Sequence, residues 1–159
     1  MKRLFAFPLL AILLFSAIPA KADTWGTAGS TGFVDEASAS LYEVNDATLR
    51  FKSGQTGTIV ARYPIHGSAL DNPLWQTLVF TYGGPGVSVK LVNVLSCGGG
   101  TETLVTWGPS TSNSSSVCEN IDVSGVYWDT YGTSYYLEVT LTRSTTSTNP
   151  QFHQAQLQY

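Results

Sequence analysis

Along residues 134–143 apolar and polar positions alternate one by one. Tyr135, Leu137, Val139 and Leu141 fall on one side, and Tyr136, Glu138, Thr140 and Thr142 on the other. Side chains on a β-strand repeat every two residues, so this spacing predicts a strand with one buried face. Residues 57–65 repeat the pattern, with Ile59, Ala61, Tyr63 and Ile65 inward and Val60 and Arg62 outward. Residues 74–82 place Leu74, Leu78, Phe80 and Tyr82 on one face with Gln76, and Trp75, Thr77, Val79 and Thr81 on the other. Both of those faces are largely apolar, which predicts a central strand. Residues 87–95 set Val87, Val89, Leu91 and Leu95 against Ser88 and Lys90. Shorter strands are predicted at 38–44, 48–52, 102–107 and 117–123. A last one is predicted at 152–159, where Gln154, Gln156 and Gln158 interleave with Ala155, Leu157 and Tyr159. Strict alternation there puts His153 on the face of Ala155 and Leu157.

Gly, Pro and Asn clusters separate these segments. Gly83-Gly84-Pro85-Gly86 predicts a tight hairpin, because glycine supplies positive φ and proline presets its own. No long 3.6-residue apolar period follows the first 22 residues. Many short strands with turns every 8–12 residues predict an all-β fold, an antiparallel β-sandwich. A jelly roll is the preferred topology and an immunoglobulin-like Greek key the second.

The N-terminus reads differently. Lys2 and Arg3 precede an apolar stretch, and Pro19-Ala20-Lys21-Ala22 ends it with small residues at the positions a signal peptidase reads. This predicts a cleavable signal peptide over 1–22 and a single domain over 23–159, secreted or periplasmic. The apolar stretch is shorter than the roughly 20 residues that span a bilayer, so no membrane span is expected in the mature chain. The mature part keeps five basic residues against eleven carboxylates, a net charge of −6. That balance argues against nucleic acid as a partner, which needs a basic footprint.

Cys97 and Cys118 are the two cysteines. In an oxidising compartment they predict one disulfide, closing the Gly-, Ser- and Thr-rich stretch between them and holding it down. Their spacing fits neither a redox Cys-x-x-Cys nor a zinc knuckle. His66 and His153 are the histidines, with no Gly-x-Ser-x-Gly elbow for either to serve. Asp122, Asp129, Glu138 and Glu102 lie in no diagnostic carboxylate motif. Asp71-Asn72 and Asn120-x-Asp122 are fragments of a calcium pattern without the full loop. No catalytic residue, metal or cofactor is therefore expected.

The aromatic residues are the most suggestive chemistry. Trp75, Trp107, Tyr127, Trp128 and Tyr131 lie outside or at the rim of the strongest core alternations. Rings with a polar edge can stack on the apolar face of a sugar and still hydrogen-bond. These five are the candidate ligand-binding residues. The stretches GTIVARYPI at 57–65 and YYLEVTLTR at 135–143 resemble those of a loose group of small secreted bacterial β-sandwich proteins of unknown function. The resemblance implies the fold and no activity. Two function classes follow: a non-enzymatic module that binds a surface ligand such as a glycan, and an envelope-associated protein acting by self-assembly or partner contact. A secreted hydrolase is a weak third.

Overall fold

The computed structural model describes residues 24–66, 75–95, 99–129 and 133–159. Eleven strands are seen among them: β1 (Trp25–Ala28), β2 (Phe33–Val34), β3 (Tyr42–Asn45), β4 (Thr48–Phe51), β5 (Gly57–Ile65), β6 (Thr77–Gly83), β7 (Val87–Val94), β8 (Thr101–Trp107), β9 (Val117–Asp122), β10 (Ser134–Arg143) and β11 (Gln151–Gln158). Short 3-10 turns at Gly29–Thr31 and Glu36–Ser38 complete the secondary structure. The strands form two antiparallel sheets. The first has the order β3-β4-β11-β6-β9, with β1 also paired to β11, and the second has the order β2-β5-β10-β7-β8. Their inward faces meet in one hydrophobic cluster, with Leu49, Phe80, Phe152 and Leu157 from the first sheet and Ile59, Leu91, Leu137 and Leu141 from the second. This is a two-layer β-sandwich.

Alternation places the core. On β10 the residues Tyr135, Leu137, Val139 and Leu141 are buried and their neighbours are not, apart from Arg143 at the end. On β5 the buried set is Ile59, Ala61, Tyr63 and Ile65. The last strand departs from strict alternation. The pairing of β11 with β6 shifts register between Phe152 and Gln154, a bulge with His153 as the extra residue. The bulge lets Phe152 and Ala155, three apart in sequence, both point inward. His153 is therefore not on the core face. It bonds the Thr48 hydroxyl at 2.9 Å and the Ser115 carbonyl at 3.2 Å.

Two further expectations are corrected. Gly83-Gly84-Pro85-Gly86 is not a hairpin, because β6 and β7 belong to different sheets and this segment arches between them. Gly84 and Gly86 have φ of 71° and 87°, and a Cβ on Gly86 would lie 2.2 Å from the Thr142 carbonyl oxygen. The arch therefore needs glycine for both backbone shape and room.

The disulfide is not supported either. Cys118 is an exposed free thiol. It pairs with Thr81 near the arch end of β6. Cys97 lies outside the described residues, but its described neighbours Leu95 and Gly99 follow β7 and precede β8 at the other end of the sandwich. The seven-residue rise from Val87 to Val94 separates the two ends by about 23 Å. A disulfide requires Cα atoms within about 7 Å.

Candidate functional site

Strand β8 is the edge of the second sheet and β9 the edge of the first. Among the described residues no strand closes the gap between these edges, and side chains fill it. Trp107 pairs with Val89 and points inward with it. Its ring packs 4.9 Å from Phe80 in an edge-on arrangement and 4.9 Å from Tyr82. Both partners belong to the opposite sheet, so Trp107 spans the open side of the sandwich. It is half-buried, and what the core leaves uncovered lines a cleft of about 600 Å³ together with Tyr82, Val117 and Glu119.

Glu119 comes from the inward-facing row of β9. It sits opposite Phe80, with Val117 opposite Tyr82 and Ile121 opposite Leu78. A carboxylate in an apolar row is the signal that sequence reading passes over here: Val117-x-Glu119-x-Ile121 breaks its own pattern at the centre. Burial raises the Tyr82 phenol above its ordinary range, and the adjacent Glu119 charge and hydrogen bond raise it further. Tyr82 donates that bond and Glu119 accepts it, leaving the carboxylate with acceptor capacity toward the cleft.

The other wall is the loop that follows β8. It begins with a cis Gly108–Pro109 bond, and Gly108 has φ of 95°. Ser110 then locks the loop to the arch. Its amide donates to the Val87 carbonyl at 2.8 Å. Its hydroxyl accepts from the Val87 amide at 3.0 Å and donates to the Gly84 carbonyl at 2.9 Å. Farther on, the Gly84 amide donates to the Ser114 carbonyl at 2.8 Å. The Ser- and Thr-rich tract expected to need a sulfur bridge is held by these bonds and by His153. Thr111 and Ser112 add hydroxyls to the cleft wall.

Of the five aromatic residues singled out in the sequence, the structure brings Trp107 to this cleft. Trp75 and Trp128 are 2% and 3% exposed and pack against each other edge-on at 4.9 Å in the core. Their rings are occupied by protein. Tyr135 anchors the segment, donating to the Tyr127 carbonyl at 3.2 Å and accepting from the Asp129 amide at 2.7 Å. Trp128 is thereby turned inward and Tyr127 outward, 79% exposed and not among the residues lining the Trp107 cleft. Tyr131 lies outside the described residues.

The remaining candidates do not line this cleft. His66 is exposed at the end of β5, and its sequence neighbours Ser68 and Asp71 lie outside the described residues. Glu138 pairs with Arg62 at 3.1 Å and Lys90 at 3.4 Å on the outer face of the second sheet. Arg62 also pairs with Asp35 and lies over the Tyr136 ring. Burial lowers the Arg62 pKa, but these two carboxylates outweigh it and the net direction is upward. Two cations and two anions satisfy one another there. Asp122 accepts bonds from Ser124, which hold its carboxyl below the usual range. Among the described residues no group of three or more His, Cys, Asp or Glu side chains could hold a metal ion. No helix among them is long and apolar enough to cross a membrane.

No protein-family model matches the chain, and no curated protein matches it. Among solved structures, it is similar to the carbohydrate-binding module TmCBM61 in complex with beta-1,4-galactotriose, at 13% identity and a TM-score of 0.45, over 86% of this chain and 88% of that one.

Proposed function

We propose that this chain is an exported, non-catalytic glycan-binding protein whose ligand enters the cleft between β8 and β9. The observation that carries the reading is the half-buried Trp107 ring set beside the Glu119 carboxylate in an open cleft. A sugar ring has an apolar C–H face and a rim of hydroxyls. Trp107 offers an apolar surface to the first, and Glu119, Thr111 and Ser112 offer acceptors and donors to the second. The cleft is preformed: the Ser110 bonds fix its loop before any ligand arrives, so little ordering entropy opposes binding. Glycoside hydrolysis uses two carboxyl groups flanking the bond. Glu119 is the one carboxylate among the described residues lining this cleft, which favours binding over hydrolysis.

The preferred jelly-roll topology is supported by the strand order. From β4 to β7 the chain changes sheet at each step, and from β9 to β11 it does so again. The sequence of the first 22 residues supports export. A glycan array probed with the protein tests the function. Trp107→Ala should abolish capture, and Glu119→Gln should weaken it about tenfold, the scale of one charge-assisted hydrogen bond. Both variants are to be compared at temperatures where circular dichroism shows them folded. Capture that survives both substitutions overturns the reading.

The assembly class rests on unpaired edges β8 and β9. Glu102 on β8 and Asp122 on β9 put charge on those edges, a feature that blocks strand pairing between copies. A monomer by light scattering is the expected result.

A further inference from the structure

The Trp107 cleft does not end at its own wall. A second depression of about 450 Å³ shares Pro109 and Ser110 with it. A third, of about 370 Å³, shares Pro85 and Thr148 with the second. The three adjoin one another through these shared residues, in a row over the arch end of the sandwich. The second lies against Ser88 at the start of β7 and Thr142 at the end of β10. Passing from β8 over β7 to β10 crosses two strand spacings, about 10 Å, before the third depression is reached. One sugar ring in the Trp107 cleft does not cover that distance.

Beyond the Trp107 cleft the polar side chains lining this track are uncharged. Ser88, Thr142 and Ser144 present hydroxyls in the second depression, and Asn113, Asn149 and Gln151 present amides in the third. Across all three, Glu119 is the one charged side chain among the described lining residues, and no Lys or Arg is among them. An anionic chain carrying carboxylates or sulfates would find no counter-charge and would meet an acidic protein, with formal charge −3 over the whole sequence. Hydroxyls and amides that both donate and accept suit the hydroxyls of an uncharged chain.

The geometry points to an extended neutral oligosaccharide, anchored at Trp107 and running past Pro109 and Pro85 toward Asn149. The inference rests on the glycan-binding reading and adds chain length and charge to it. The track is rigid where it bends, because the arch glycines and Ser110 are tied together by the bonds described above. Each further sugar therefore adds contacts without reordering the protein.

Calorimetric titration with neutral gluco-, manno- and galacto-oligosaccharides of increasing length tests it, beside an oligogalacturonate of matched length. In the neutral series that binds, the hexasaccharide should bind at least about tenfold tighter than the disaccharide. The oligogalacturonate should bind about tenfold or more weakly than its neutral counterpart. Ser144→Trp, at an exposed position on the track, should bring the hexasaccharide affinity down to that of the disaccharide and leave the disaccharide unchanged. Thr142→Trp, also exposed, should do the same and serves if the first variant fails to fold. Equal affinity for short and long chains, with binding still lost in Trp107→Ala, overturns this inference and leaves the glycan reading standing. Tighter binding of the oligogalacturonate overturns it likewise. Binding by no chain of any length, or binding at all lengths that ignores Trp107→Ala, overturns both.

Discussion

Ser110 shows how one small side chain in a cleft wall can organise the site around it. It is 7% exposed, and its hydroxyl satisfies one backbone donor and one backbone acceptor that no neighbouring strand reaches. Replacing it with Ala leaves the Val87 amide and the Gly84 carbonyl without that partner in a dry location. Leaving such groups unpaired costs about 1–3 kcal/mol. Ser110→Ala should therefore lower the urea midpoint by that amount of stability and weaken glycan binding through a loosened loop. An unchanged midpoint would show that water fills the gap. Little of this was legible beforehand. Ser110 reads as one more hydroxyl in a Ser/Thr tract, because its value lies in contacts with residues more than twenty positions away. The aromatic residues misled for a related reason. Trp75, Trp107 and Trp128 are chemically alike in the sequence, and their difference is a matter of which neighbours cover them. Local pattern does not encode that. Glu119 was legible in principle, since a carboxylate at the centre of an apolar row is a local contradiction.

At the scale of elements, the long strands could be read directly. Residues 57–65 and 134–143 are strands with the expected bounds, because nine or ten residues of strict alternation leave little ambiguity. The two-residue β2 and four-residue β1 gave no such signal. They exist because β5 and β11 offer them partners. The last strand illustrates the limit of periodicity. Its phase changes at His153, where the partner of β11 on one side passes from β4 to β1. Because Phe152 lies opposite Tyr82 and Gln154 opposite Thr81, deleting His153 should convert the bulge into a regular strand without moving any other residue to the wrong face. The deletion variant should fold, losing only the bonds to Thr48 and Ser115, about 1 kcal/mol each. Inserting one Ala between Ala155 and Gln156 adds a residue where no bulge exists and swings Phe152 and Ala155 out of phase with Leu157. That variant should not fold. Near-ultraviolet circular dichroism distinguishes the two, and equal loss of signal in both would refute the bulge assignment.

For the molecule as a whole, the two sheets are joined by more than apolar area, and the junction has a pH signature. Tyr63 on β5 stacks 5.2 Å from Phe152 on β11 and donates its hydroxyl to the Gly29 carbonyl at 2.8 Å. Burial pushes its phenol far above the ordinary value of 10.0. Tyr82 moves the same way, by burial and by Glu119. In both cases the folded pKa exceeds the unfolded one. Below the unfolded value both phenols are protonated in either state, so their contribution is fully present. Above about 10 the unfolded chain ionises while the folded chain resists, and stability falls as pH rises toward the folded pKa. For one proton the limiting slope is about 1.4 kcal/mol per pH unit. Urea unfolding at a series of pH values should therefore show an alkaline limb that steepens beyond pH 10. Tyr63→Phe keeps the ring against Phe152, loses the bond to Gly29, and has no phenol to ionise. Its stability should be lower by about 1 kcal/mol at neutral pH, and its alkaline limb shallower than that of the unsubstituted protein. Since Tyr63 is the link from the second sheet to the Gly29 turn beside β11, a limb of unchanged slope in that variant would mean that alkaline unfolding begins elsewhere than at the join between the sheets.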